Sequence, residues 1–163
     1  MNACPDLSAP ALPNGSAGPG FDAIRQKLEE IADTALKEFS NRKVLDKMYA
    51  EWEPVNFGCK DWAGKSYILL GEDIETLETI LDDHLIKTQT MKGSPYAKVF
   101  FDEIVVWESR LIRTQEGLET WLKVQVAWMA LEPVFSSDDI MKQMAKEGTK
   151  FKEVDAVWKT IMK

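Results

Sequence analysis

The stretch F57-GCKDWAGKSYILL-G71, residues 57–71, decides how the rest of the chain is read. It ends its central turn with Gly64-Lys65-Ser66, the last three letters of a phosphate-binding loop, and Gly58 lies upstream. If it were such a loop, the chain would be an α/β nucleotide enzyme. The motif needs four residues between its glycines, a buried strand before it and a helix after it, so that loop amides and the helix N-terminus hold the phosphates together. Five residues separate Gly58 from Gly64. Ser66 is followed by the strand-like run Tyr67-Ile68-Leu69-Leu70, and Asp61 would place a carboxylate inside the anion cradle. The stretch therefore reads as a small β-hairpin, with strands over 55–58 and 66–70 and a turn over 60–65 in which Gly64 supplies a positive φ.

Outward from the hairpin, the sequence reads as helix on both sides. Upstream, Ile24, Leu28, Ile31, Ala35, Leu36 and Phe39 recur at helical spacing, and Val44, Leu45, Met48, Tyr49 and Trp52 continue the pattern. This predicts one long helix, or two in line meeting at Ser40-Asn41, ending before Pro54. Downstream, Gly71 and Asp73 start a helix with Ile74, Leu77, Ile80, Leu81, Leu85 and Thr88 on one side, stopping at Gly93. Ser94-Pro95 is an N-cap followed by a first-turn proline. The helix it opens is expected to run to about Leu131, with Gly117 as a possible bend and Pro133 as its end. Ser136 and Asp139 resemble a capping box for a short helix at 137–145. Gly148 separates that helix from a last amphipathic segment carrying Phe151, Val154, Val157, Trp158 and Ile161. The expected fold is mostly α: an elongated bundle of long antiparallel helices with one small β-hairpin near residues 55–70.

The two ends read differently from the middle. Residues 1–20 are rich in Pro, Gly, Ala and Ser without periodicity, as in a disordered tail or an appended linker, and are set apart from a helical domain at 21–163. The last segment carries its apolar face to the end of the chain, as expected of a domain cut from something longer.

Composition excludes several functions. A net charge of −7 over 163 residues is unsuited to nucleic acid or an anionic membrane surface. No apolar run approaches the ~18 residues of a membrane span, and no basic-then-apolar signal opens the chain. The two cysteines, Cys4 and Cys59, sit in unlike segments, which argues for a reducing compartment over a disulfide framework. His84 is the single histidine, so no His-based metal cluster is available, and it reads as a surface or helix-contact residue. Asp82-Asp83 and Asp138-Asp139 are adjacent pairs that diverge around a helix, and Cys59 has no histidine to activate it. Six tryptophans favour a core or a face covered by another domain. The expectation is no catalytic residue, no cofactor and no metal.

Several strings resemble a known family. LDDHLIKTQTMKGSPYAKVF (81–100), the W-E-x-x-L spacing at Trp107, ETWLKVQVAWMALEPVFSSDDIMKQM (119–144) and KFKEVDAVWKTIM (150–162) look like the linker region of dynein heavy chains, as does the preceding ALKEFSNRKVLDKMYAEWEPVNF (35–57). The resemblance covers about residues 22–163, and DDHLIKTQTMKGSP is closer to axonemal than to cytoplasmic dyneins, with inner-arm chains nearest. Residues 1–20 resemble nothing in that family. The resemblance implies a lever of helical bundles lying across a ring of six AAA+ modules, bent and straightened by nucleotide turnover in that ring. It implies a non-catalytic piece whose partners are the ring of the same heavy chain and the tail with its associated subunits, in the cytoplasm, on the cytoskeleton of the ciliary axoneme. Trp62, at the hairpin turn, is the candidate docking contact. The rival reading is a stand-alone helical adaptor that binds a partner protein, and a nucleotide enzyme built on Gly64-Lys65-Ser66 is the third.

Overall fold

The computed structural model describes residues 19–162, with side chains from 21. The tail expected at 1–20 lies outside the described residues except for its last two, which already belong to the first helix. Helix α1 is Pro19–Trp52, β1 is Cys59–Trp62, β2 is Ser66–Leu69 and α2 is Gly71–Lys92. A 3₁₀ helix over Pro95–Phe100 leads into α3, Phe101–Phe135, followed by α4, Asp138–Gln143, and α5, Ala145–Ile161. The fold is a mostly α bundle with one antiparallel hairpin.

Side-chain pairs fix how the helices run. Trp52 meets His84 and Met48 meets Thr88, so α1 and α2 are antiparallel. Lys92 pairs with Glu108 and Gln115 with Asp82, so α3 folds back along α2. Trp128 bonds Asp155 while Phe135 stacks on Phe151, which sets α5 antiparallel to the second half of α3. At the α2–α3 corner, Ser94 Oγ accepts the Tyr96 N–H at 3.3 Å and the Asn41 amide at 3.2 Å, so one cap also ties α1 to the turn.

Two apolar cores result. The first gathers Leu45 and Met48 of α1, Leu77 and Leu81 of α2, and Ile104, Trp107 and Leu111 of α3. The second is Trp128, Trp158 and Met162, between α3 and α5. The hairpin joins them: Leu69 is buried in the first, while Ile68 and Trp62 pack on the second. Successive residues of a strand face opposite ways, so a four-residue strand can serve both cores at once.

Several expectations need correction. The first strand is 59–62, not 55–58. Pairing counts back from a three-residue turn, Ala63 to Lys65, with Trp62 opposite Ser66 and Cys59 opposite Leu69, and by Gly58 the opposite chain is already turning into α2. Pro133 does not end α3, which runs to Phe135. Proline removes an N–H only toward the preceding turn, and the Ser136 N–H still closes on the Glu132 carbonyl at 3.0 Å. The Ser136–Asp139 capping box does not form, because the Ser136 hydroxyl is bonded to Glu132 and Ser137 is the cap residue of α4. Gly148 is not a separator. It is buried inside α5, where an added Cβ would lie 2.5 Å from Met141 Sδ, so the glycine lets α4 sit against α5. Gly93 stops α2 with φ −75°, without a left-handed cap. Of the two readings of His84, surface or helix contact, the second holds: it is buried between α1 and α2.

Candidate functional site

The hairpin uses each letter of its Gly-Lys-Ser for structure. Ala63 (φ 54°) and Gly64 (φ 69°) are both left-handed, as the two central residues of a turn matching the strand twist must be. The Lys65 N–H closes that turn on the Trp62 carbonyl at 2.9 Å, and Lys65 is the third residue of the loop before Ser66 pairs with Trp62. Asp61 accepts the Gly64 N–H at 2.8 Å, so the amide a phosphate would need is taken by a carboxylate. Lys65 reaches across to α3, where Nζ lies 2.6 Å from Glu132 Oε1 and 3.2 Å from Ser136 Oγ. Ser66 is buried. With no helix after Ser66, this geometry forms no phosphate cradle.

The Lys65–Glu132 contact anchors the hairpin to α3. Glu132 is only 5% exposed. Burial, the largest single influence on it, pushes its carboxyl up; the bonds from Lys65 and Ser136 together outweigh burial and hold it below the usual carboxylate range. Two turns earlier on α3, buried Gln125 receives the Leu69 N–H at Oε1 (2.8 Å) and donates from Nε2 to the Leu69 carbonyl (3.3 Å). Gln125 thus stands in for a third strand on the free edge of β2. Sequence reasoning missed both residues. Their signal was available: Leu118, Trp121, Gln125, Trp128 and Glu132 share one stripe of α3, and two polar residues on an apolar stripe ask for partners.

Trp62 is half-buried at the end of β1, one face on the second core. On the other side of the hairpin an apolar groove of about 570 Å³ runs between Phe57, Cys59 and Tyr67, Leu118 and Trp121 of α3, and Ile161 of α5. Cys59 is exposed there as a free thiol. Asp82 bonds Gln115 and Asp83 pairs with Lys87 in the α2 surface, while Asp138 and Asp139 lie in the first turn of α4, where the helix dipole favours acidic residues. Both ring nitrogens of His84 are engaged, Nδ1 by the Trp52 indole N–H at 2.9 Å and Nε2 by Glu51 Oε2 at 2.8 Å, so it serves the helix contact. Among the described residues no group of three or more His, Cys, Asp and Glu is placed to hold a metal, and no helix is long and apolar enough to cross a membrane. The arrangement is built for packing and contact.

The family model described as dynein heavy chain, N-terminal region 2, matches residues 19–163. The chain is 46% identical over 138 residues to dynein axonemal heavy chain 12 of Rattus norvegicus, covering 85% of this chain and 4% of that protein. It is 46% identical over 143 residues to dynein axonemal heavy chain 3 of Homo sapiens (88% of this chain, 3% of that protein). With dynein axonemal heavy chain 1 of Homo sapiens it shares 40% over 139 residues (85% and 3%). The chain therefore spans only a few per cent of the length of these relatives. The match begins at Pro19, the first residue of α1, and takes in both cores and the hairpin that joins them: the chain belongs to the dynein heavy chain family, as a stretch of its N-terminal region 2.

Proposed function

We propose that this stretch is a force-transmitting segment of the linker lever of an axonemal dynein heavy chain. In this reading it couples ATP-driven changes in an AAA+ ring, which lies elsewhere in the heavy chain, to microtubule-based ciliary movement, and it carries no catalytic group of its own. Its partners are the ring of the same heavy chain and the tail with its associated subunits. The observation that carries the reading is the antiparallel α1–α2–α3 layer with the hairpin wedged between its two cores, in a chain of this family. A lever must resist bending. Long helices interlocked along apolar stripes do so, and the Lys65–Glu132 and Gln125–Leu69 contacts remove the freedom a loose hairpin would add.

Two finer points belong to the same proposal. Trp62 is the docking contact, with the rim of its half-exposed indole available at the hairpin tip. The exposed Val154, Val157 and Ile161 of α5 are covered by further heavy-chain residues, making 21–163 part of a larger helical domain.

The decisive experiment uses the full heavy chain. Glu116→Pro, at an exposed site in the middle of α3, breaks the longest helix of the layer. Microtubule sliding should slow several-fold while ATP turnover continues. Unchanged sliding would exclude a lever role. Trp62→Ala in the same chain should weaken coupling; if it lowers stability without altering sliding, Trp62 is packing and not docking. The adaptor reading draws on the exposed stripe of α1 and predicts that the chain, expressed alone, captures a partner helix without the ring.

A further inference from the structure

We propose that His84 is a proton-operated clamp at the α1–α2 junction, held neutral with its proton on Nε2 and releasing Trp52 when a second proton binds. The assignment follows from donors and acceptors. An indole N–H can only donate, so Nδ1, 2.9 Å from Trp52 Nε1, carries a lone pair. Nε2, 2.8 Å from Glu51 Oε2, then carries the hydrogen and gives it to the carboxylate. Both bonds reach from α1 to a side chain of α2 that is 1% exposed.

Protonation makes these two bonds unequal. A solvent proton takes the Nδ1 lone pair, the Trp52 N–H···Nδ1 bond breaks, and two N–H groups now face each other. The Nε2–H···Glu51 bond survives and becomes charge-assisted. The clamp shifts from two contacts to one, and the indole must leave. Trp52 also lies edge-on to Trp107 of α3, with ring centroids 6.4 Å apart, so its departure loosens the three-helix contact as well.

The charged surroundings set how the proton is felt. From α1 they are Glu51 and Lys47, themselves 3.5 Å apart. From α2 they are Asp83 and Lys87, paired with each other. From α3 the charges of this layer are Glu103, paired with Arg42, Glu108, taken by Lys92, and Arg110, with Glu103 and Arg110 both near Tyr49. Glu51 is held below the usual carboxylate range chiefly by its bond to His84, so it stays charged to receive the imidazolium.

The consequence is geometric. Near its middle, α1 is tied to the α2–α3 corner by Arg42–Glu103 and Asn41–Ser94, and near its end by the His84 clamp. Leu45 and Met48 stay buried between the two attachments, so releasing Trp52 loosens the last turn of α1 and its contact with Trp107 while the rest of the helix stays seated. This inference does not depend on the lever reading.

The test is nitrogen NMR on the chain at pH 8 and through acidification to about pH 5. Long-range ring correlations should show the Nε2–H tautomer of His84 at the start. As the ring charges, the Trp52 indole signal should move, and its exchange relative to the other five indoles should rise on the order of five- to tenfold, the loss of one ordinary hydrogen bond. His84→Gln, which keeps one donor and one acceptor without titrating, should leave that signal fixed. An Nδ1–H tautomer, a ring that never charges before unfolding, a Trp52 signal indifferent to the titration, or an unchanged titration in His84→Gln would each overturn the proposal. If His84→Gln does not fold, the tautomer and the coupled shift in the unaltered chain decide alone.

Discussion

Lys65 and Glu132 show how a residue's neighbours, not its motif, settle its role. The lysine is 41% exposed and the glutamate side chain 7%, so the ion pair stands at the edge of the interior, where Lys65 and Ser136 offset the cost of burying the carboxylate. Lys65→Met should cost about 1–3 kcal/mol in urea denaturation, because it strands a buried charge with one hydroxyl donor. The pair also carries a pH dependence. Glu132 is depressed below its unfolded value of about 4.3, so its stabilising contribution is complete above that value and disappears as pH falls through the lower folded one. Stability should therefore decline from about pH 5 downward, and less steeply in Glu132→Gln, as read from denaturation midpoints across pH. At the turn, Ala63 holds φ 54°, a conformation that costs an ordinary residue roughly 1–2 kcal/mol and glycine almost nothing. Ala63→Gly should be neutral or stabilising by up to about 1 kcal/mol, the strain relief being partly offset by the greater freedom of glycine when unfolded.

At the level of elements, periodicity and punctuation made most of the fold readable. The apolar spacing gave α1, α2 and the body of α3, Pro54 and Ser94-Pro95 gave their borders, and the misfit of Gly58 and Gly64 gave a hairpin in place of a phosphate loop. What escaped depended on partners distant in sequence. Val55 and Phe57 favour strand, yet they lack a partner because the opposite chain is already α2. Gln125 and Glu132 are intelligible only once the hairpin lies on α3, 56 and 67 residues from their partners. Gly148 looked like a break because a glycine in a helix is read as a flaw, whereas here it admits Met141. That reading makes a prediction at the α4–α5 contact. Gly148→Leu gains helix propensity but must displace Met141 and part α4 from α5, so a net loss of about 1–3 kcal/mol is expected. Stabilisation by the same change would mean that the α4–α5 contact is loose.

Across the whole molecule, apolar spacing and burial part company in α1. Its second half supplies Leu45 and Met48 to the first core, but Phe21, Ile24, Leu28, Ile31 and Leu36 of the first half are each 60–67% exposed. The sequence pattern is the same in both halves, since an amphipathic stripe records that a helix has a face and not whether its partner belongs to the same stretch of chain. Without tertiary contacts, a segment of this length is marginal as a helix in water, because its backbone entropy is offset by helical bonds alone. The molecule should therefore be two-tiered in stability. Amide exchange of residues 21–36 should approach that of an unprotected peptide, while residues 45–52 exchange only through global opening. Deleting residues 1–35 should leave the denaturation midpoint nearly unchanged, since residues 21–35 are all exposed. If the first half of α1 proves as protected as the second in a monomeric sample, the helix is stable by itself and acts as a rigid arm; if protection appears only at high concentration, a second copy is covering the stripe.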